Sequence, residues 1–237
     1  MKPKLVLFDL DGTLLNTIAD LCEAVNYALK LRNLPQHPLE EITEMVGHGA
    51  RNLMRQALPS DQKNDEALID AVLADFRAYY TAHIDVHTKP FPGIQNLLTK
   101  LHQEGVMLAV ASNKFQEGTE HLIKEFFPEI PFVAILGNRP NFPLKPNAEV
   151  VGEVLRKTGV KKEEAVMVGD SDTDMETAAN GGIKGIAVSW GYRNMKDLVD
   201  ASSALRPFDG PQGPQAQGPR FITVVDSADE LQKILLP

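Results

Sequence analysis

The chain has 237 residues, of which 43% are hydrophobic, enough to build one large core or two small ones and to exclude global disorder. A net charge of −8 argues against nucleic acid or an anionic membrane as a broad partner, while leaving room for a small cationic pocket that takes one anion. The single cysteine, Cys22, cannot close an internal disulfide, no apolar run is long enough to span a bilayer, and too few apolar residues precede Asp9 for a signal-peptide core, so the expectation is a cytoplasmic protein.

The first element is an apolar run, Leu5-Val6-Leu7-Phe8, which reads as a fully buried strand. It turns abruptly into Asp9-Leu10-Asp11-Gly12-Thr13. Carboxylates two residues apart point the same way while a strand continues, and Gly12 lets the chain leave the sheet at once. Asp9 and Asp11 therefore meet at the carboxyl end of a strand, where open α/β sheets place their ligands. Alone, Asp-x-Asp-Gly is only a polar turn. It is not a calcium loop, because Leu14 and Asp20 stand where such a loop needs Gly and Glu.

From residue 16 to about 88 the period is helical throughout. Ile18, Leu21, Cys22, Val25 and Leu29 share one face, and Cys22 is an apolar filler on that stripe. Leu34-Pro35 and Pro38 break this helix; a short one from Leu39 to Met45 leads into Val46-Gly47-His48-Gly49-Ala50, and two more follow, the second from Asp65 to Tyr80. Pro90-Phe91-Pro92-Gly93 is a stiff boundary. Beyond it strands alternate with helices: a helix Ile94–Gln103, a strand Val106–Ala111 ending in Ser112-Asn113-Lys114, a helix Gln116–Phe126, a strand Phe132–Leu136, a loop to Lys145-Pro146, and a helix Ala148–Lys157. Then come a strand Ala165–Val168 ending in Gly169-Asp170-Ser171-Asp172-Thr173-Asp174, a helix to Asn180, a strand Gly185–Val188, a helix near Met195–Ala201, a low-complexity Gly/Pro/Gln loop at Gly210–Pro219, a strand Phe221–Val225, and a closing helix capped by Ser227.

Strands that alternate with helices form a parallel sheet with right-handed crossovers, and all its carboxyl ends lie on one edge. The expected fold is therefore α/β, a Rossmann-like parallel core with helices on both faces, formed by residues 1–15 and 89–237, with residues 16–88 as a small all-helical cap. Strand direction alone gathers Asp9, Asp11, Ser112, Lys145 and Asp170 on one rim. The carboxylates call for a hard cation, for which Mg²⁺ suits a few carboxylates plus water. Lys145, the Ser112 hydroxyl and a nearby helix N-terminus suit a tetrahedral dianion such as phosphate. Taken singly, Asp170-Ser171-Asp172 is a helix cap, Ser112-Asn113 another cap and Lys145 a solvated loop lysine; their convergence on one edge favours a site.

Asp9-Leu10-Asp11-Gly12-Thr13, Ser112-Asn113, Lys145-Pro146 and Gly169-Asp170-Ser171-x-x-Asp174 resemble the four ordered motifs of the haloacid dehalogenase-like phosphohydrolase superfamily. The Val46–Ala50 stretch and Pro92-Gly93 are similar to its phosphoglycolate phosphatase branch. The resemblance implies Asp9 as nucleophile, Asp11 as general acid and base, and Mg²⁺ held by Asp9, the Asp11 carbonyl and Asp170, with Asp174 in support. It implies that Ser112, Asn113 and Lys145 bind the phosphoryl group of a small phosphorylated metabolite. His48 or Arg51 is expected to face the other end of that substrate, and the protein to be a monomer or homodimer. A sugar-phosphate mutase would use the same core. A phospho-accepting receiver module would need neither lid nor second acid.

Overall fold

A computed structural model describes residues 2–193 and 221–237. Strand β1 (Leu5–Phe8) is buried along its whole length because it lies inside a six-stranded sheet. Its neighbours are β4 (Met107–Phe115) and β6 (Ala165–Gly169), both parallel to it. Beyond them lie β5 (Phe132–Asn138) on one side, and β7 (Lys184–Val188) and β8 (Phe221–Val225) on the other, giving the order β5-β4-β1-β6-β7-β8. Every pairing is parallel.

The two-residue side-chain period divides the core between the two faces of this sheet. Val6, Phe8, Leu108, Val110, Val166 and Val168 pack on one face with α5 (Ile94–Gln103), α6 (Gln116–Phe126) and the closing helix α9 (Ala228–Leu235). Leu5, Leu7, Ala109, Ala111, Ala165 and Met167 pack on the other with α7 (Glu149–Thr158) and α8 (Asp172–Gly181). This is the doubly covered Rossmann-like core expected from the alternation. A short 3₁₀ turn, Lys162–Glu164, leads into β6. The helix expected near Met195–Ala201 and the Gly210–Pro219 loop lie outside the described residues.

Between β1 and α5 stand four further helices: α1 (Ile18–Leu31), α2 (Leu39–Met45), α3 (Ala50–Ala57) and α4 (Glu66–Ala82). The sequence shows no strand near their ends, yet β2 (Leu15–Asn16) and β3 (Lys89–Pro90) pair antiparallel just where the helical segment leaves and rejoins the core. Two residues are too few to display a period, so this ribbon was invisible to pattern reading. A second difference is at β4, which does not end at Ala111. The chain bulges at Ser112-Asn113-Lys114, pairs again at Phe115 with Asn138, and buries all three polar residues.

The exit from the helical segment is pinned by Asp20 on α1. Its buried carboxylate accepts from the His87 and Thr88 amides at 2.9 and 2.8 Å and from the Thr88 hydroxyl at 2.7 Å. Removing a buried acceptor strands its donors. Asp20→Ala is therefore expected to cost about 3 kcal/mol, read as a lower urea midpoint, with faster hydrogen exchange at the Thr88 amide. A loss below about 0.5 kcal/mol with unchanged exchange would contradict this role.

Candidate active site

The turn after β1 fixes the first two acids. The Leu10 carbonyl accepts from the Leu14 and Leu15 amides, both at 3.0 Å, winding one tight turn around Gly12. Gly12 has φ +89°, and a Cβ there would strike the Asp170 carboxylate, so only glycine fits. Asp9 remains in the sheet, its amide donating to the Val168 carbonyl at 2.9 Å. Asp170 stands just beyond β6, and Lys145 on the connection after β5. The parallel sheet thus brings Asp9, Asp170, Asp174 and Lys145 together, all buried.

Carboxylate oxygens of Asp9, Asp170 and Asp174 lie within 4.8 Å of one another. Lys145 Nζ donates to Asp174 Oδ1 at 2.6 Å and lies 2.8 Å from Asp9 Oδ1. The approach to Asp9 is an ion pair outside hydrogen-bond geometry, and Asp9 Oδ1 is a buried oxygen with no hydrogen-bond partner. The other two acids are firmly held. Asp170 accepts from Thr13 Oγ1 at 3.0 Å and from the Tyr192 amide at 2.7 Å. Asp174 Oδ2 accepts from Ser171 Oγ at 2.6 Å and from the Ser171 amide at 3.1 Å, while Ser171 Oγ accepts in turn from the Asp174 amide. Helix capping and site-building are here the same contact.

Electrostatics follow from burying these acids together. Burial, then the charge of Asp174, drives the Asp9 carboxyl well above the usual range, against the pull of Lys145. The same two causes push Asp170 up to about 7. Burial pulls the Lys145 ammonium down, but Asp174 and Asp9 outweigh it and hold it above the usual lysine range. An unpartnered, desolvated Asp9 oxygen beside two oriented carboxylates is a donor set that fits a divalent cation.

Asp11 lies outside this cluster. Lys114 Nζ donates to its Oδ1 and Oδ2 at 2.9 and 3.1 Å, and Thr17 Oγ1 donates to Oδ1 at 2.7 Å. Thr17 occupies the N-cap position of α1 yet makes no side-chain cap bond; its hydroxyl serves Asp11 instead. Ser112 Oγ accepts from the Lys114 amide at 3.2 Å. The Asn113 amide group faces protein: Nδ2 donates to the Gly47 and Lys145 carbonyls, and Oδ1 accepts from the Lys145 amide. Lys114, Tyr80, Tyr192 and Arg193 were missed by sequence reading. Lys114 follows directly on Ser112-Asn113 and could have been found; the other three are joined to the site only by the fold.

The site opens into a cleft between the sheet edge and the helical segment. Asp9, Asp11, Ser112, Asn113, Lys145 and Asp170 line it from the core, and Gly47, Gly49, Phe76 and Tyr80 from the helices. Gly49, at φ +84°, sits where a Cβ would press on Leu144. The backbone of this loop reaches the cleft, but the side chains expected there do not. His48 is exposed, with Nδ1 3.5 Å from Thr173 Oγ1. Arg51 turns to α4, where it pairs with Glu66 at 2.5 Å and with Asp70. The Arg51 expectation needs correction because α3 begins at Ala50, and its pitch carries Arg51 to the α4 side, where two acids hold it; His48 precedes that helix and is not among the residues that line the cleft. Arg193 lines the cleft along with Lys114 and Lys145, and donates to the Thr43, Glu44 and Val46 carbonyls.

The family model for haloacid dehalogenase-like hydrolases matches residues 6–188, from β1 through β7. The chain is a haloacid dehalogenase-like hydrolase. Its relatives make this hydrolase a phosphatase. It is 32% identical to a phosphoglycolate phosphatase of Mesorhizobium japonicum over 212 residues, 88% of this chain and 93% of that protein. It is 30% identical to that of Aquifex aeolicus over 206 residues, 87% of this chain and 94% of that protein. The crystal structure of a Lactobacillus delbrueckii subsp. bulgaricus protein provisionally assigned as a phosphoglycolate phosphatase superposes with a TM-score of 0.86 at 31% identity, covering 100% of this chain and 99% of that one. Among the described residues, no helix of this hydrolase is long and apolar enough to cross a membrane.

The shifted acids give this hydrolase a distinctive pH response. Without a cation, the folded state keeps a proton on Asp170 up to about pH 7, while the unfolded chain releases it near 3.8. Across that window the native state binds more protons, so the cluster's contribution to stability falls as pH rises, by about 1.4 kcal/mol per unit per proton. A divalent cation takes the protons' place. The gain in Tm on adding excess Mg²⁺ to chelator-treated protein is therefore expected to be larger at pH 8 than at pH 5. An equal gain at both values would contradict the reading.

Proposed function

We propose that this phosphatase is Mg²⁺-dependent and hydrolyses a small, acid-ended phosphate monoester such as phosphoglycolate through an aspartyl phosphate on Asp9. The observation that carries the proposal is the buried Asp9 oxygen at the cleft, paired with Lys145 by charge but accepting no hydrogen bond, next to two oriented carboxylates. The relatives named as phosphoglycolate phosphatases support the substrate class.

Asp9, Asp170 and the Asp11 backbone carbonyl would hold the ion, with Asp174 fixing Lys145 and Ser171 around them. When bound, the cation neutralises clustered carboxylates and phosphoryl oxygens. The chain's own residues do the rest. Asp9 attacks phosphorus and forms a phosphorus–oxygen bond as the ester's bond breaks. Asp11, protonated, gives its proton to the departing alkoxide, so the alcohol leaves neutral. Asp11, now a carboxylate, takes a proton from the water that attacks phosphorus, releasing phosphate and restoring Asp9. Lys145, Ser112 and backbone amides near Asn113 bind the transferring phosphoryl group.

Residues 16–88 act in this reading as a cap on a core of residues 1–15 and 89–237, hinged at the β2–β3 ribbon. Asn113 and Arg193 reach from the core to carbonyls of the Thr43–Gly47 stretch, which holds the lid over the cleft and excludes water. Asp9→Asn is expected to abolish turnover, and Asp11→Asn to lower kcat on the order of 10²–10⁴-fold. Exhaustive chelation is expected to silence the wild type and Mg²⁺ to restore it. Wild-type turnover by Asp9→Asn would overturn the mechanism.

A further inference from the structure

Lys114 is the buried cation that the mechanism above leaves without a task. Its side chain is 2% exposed, and it enters the cleft wall from the bulge in β4. The ammonium's contacts use all of its donors: Asp11 Oδ1 at 2.9 Å, Asp11 Oδ2 at 3.1 Å and the Tyr80 hydroxyl at 2.7 Å, with the Tyr80 ring centroid 4.7 Å away. Tyr80 comes from α4, so the pair joins the core to the helical segment across the cleft.

The other cations at the cleft are committed. Lys145 is held by Asp9 and Asp174, and Arg193 by backbone carbonyls. Lys114 differs, because its partner Asp11 is the group that must turn toward the leaving oxygen and give up a proton. That step would leave a buried ammonium facing only a phenol, which is unfavourable unless another anion replaces Asp11.

We infer that Lys114 and Tyr80 form the subsite for the substrate's carboxylate, and that this carboxylate takes over the Lys114 donors which Asp11 occupies in the free protein. The inference rests on the phosphatase reading above and deepens it. One carboxylate replaces another, so the charge on the buried ammonium stays balanced, while Asp11, no longer paired with Lys114, takes up a proton from water in the open cleft and then acts as the acid. Tyr80 strengthens the subsite, since its hydroxyl accepts from Lys114 and retains its own O–H to donate to the ligand. Burial, and then the charge of Asp11, pushes the phenol pKa up and keeps it a donor. An uncharged substrate end cannot make the exchange, so Asp11 stays on Lys114 and kcat suffers as well as KM.

The test compares phosphoglycolate with ethyl phosphate, which has a methyl group in place of the carboxylate, at saturating Mg²⁺. Measuring the ratio of their kcat/KM values within each variant cancels the intrinsic difference between their leaving groups. Lys114→Met is expected to lower that ratio on the order of 10²-fold, with kcat for phosphoglycolate falling along with the rise in KM. Lys114→Arg is expected to retain much of the ratio, and Tyr80→Phe, which loses one hydroxyl and no charge, to lower it less. A lysine that merely fixed Asp11 would slow both substrates equally, so an unchanged ratio in Lys114→Met and Tyr80→Phe overturns the subsite. If Lys114→Met fails to fold, Lys114→Gln, which removes the charge but keeps a polar side chain, takes its place, and an unchanged ratio in Lys114→Gln and Tyr80→Phe overturns the subsite. Failure of the wild type to hydrolyse any phosphoester would instead overturn the function on which the inference rests.

Discussion

Lys145 bridging Asp9 and Asp174 is the contact around which this molecule is arranged. Asp9, Asp170 and Asp174 bring three negative charges into one buried cluster and Lys145 brings one positive charge, which leaves two negative charges unbalanced when all are ionised. Two protons or one divalent cation can balance them, and this imbalance, together with burial, is what raises the pKa values of Asp9 and Asp170. The parallel sheet makes the cluster possible, because only parallel strands present several carboxyl ends on one edge. Three separate chain segments, the ends of β1 and β6 and the connection after β5, must reach that edge, so the cluster exists only in the folded state.

The same economy of parts runs through the loop after β7. Trp190 Nε1 donates to the Thr13 carbonyl at 3.1 Å, and the Tyr192 amide to Asp170. The Tyr192 hydroxyl accepts from the Thr17 amide at 2.7 Å, at the start of the helical segment, and Arg193 closes on the end of α2. One short loop thus touches the turn after β1, an acid of the cluster, the N-cap of α1 and the end of α2. A shift of the helical segment would pull on Tyr192 and so on the orientation of Asp170, which gives the position of these helices and the site geometry a shared set of contacts.

Much of this was legible in the sequence because it obeys periodic rules. The run Leu5–Phe8, the alternation after Pro92 and the amphipathic stripes of α1 and α4 each state one answer, and strand direction alone assembled Asp9, Ser112, Lys145 and Asp170. What escaped notice lies where tertiary structure overrides local pattern. Ser112-Asn113-Lys114 looks like a loop because it is polar, yet it is buried, since its polar groups find partners on other segments. Tyr80 looks like an ordinary member of an apolar stripe, and only the packing of α4 against β4 shows that its hydroxyl meets Lys114. Arg51 erred in the other direction, since a charged residue beside a glycine loop looks functional until α4 supplies Glu66 and Asp70.

The central claim is that Asp9 carries the phosphoryl group between two half-reactions. The direct measurement is to quench a single turnover in acid, reduce the protein with borohydride and map the modified residue by peptide mass spectrometry. An acyl phosphate is reduced to an alcohol, so the account predicts homoserine at position 9 and unmodified Asp11, Asp170 and Asp174. Homoserine at another aspartate, or none at all under conditions where phosphate release is caught mid-course, would contradict it.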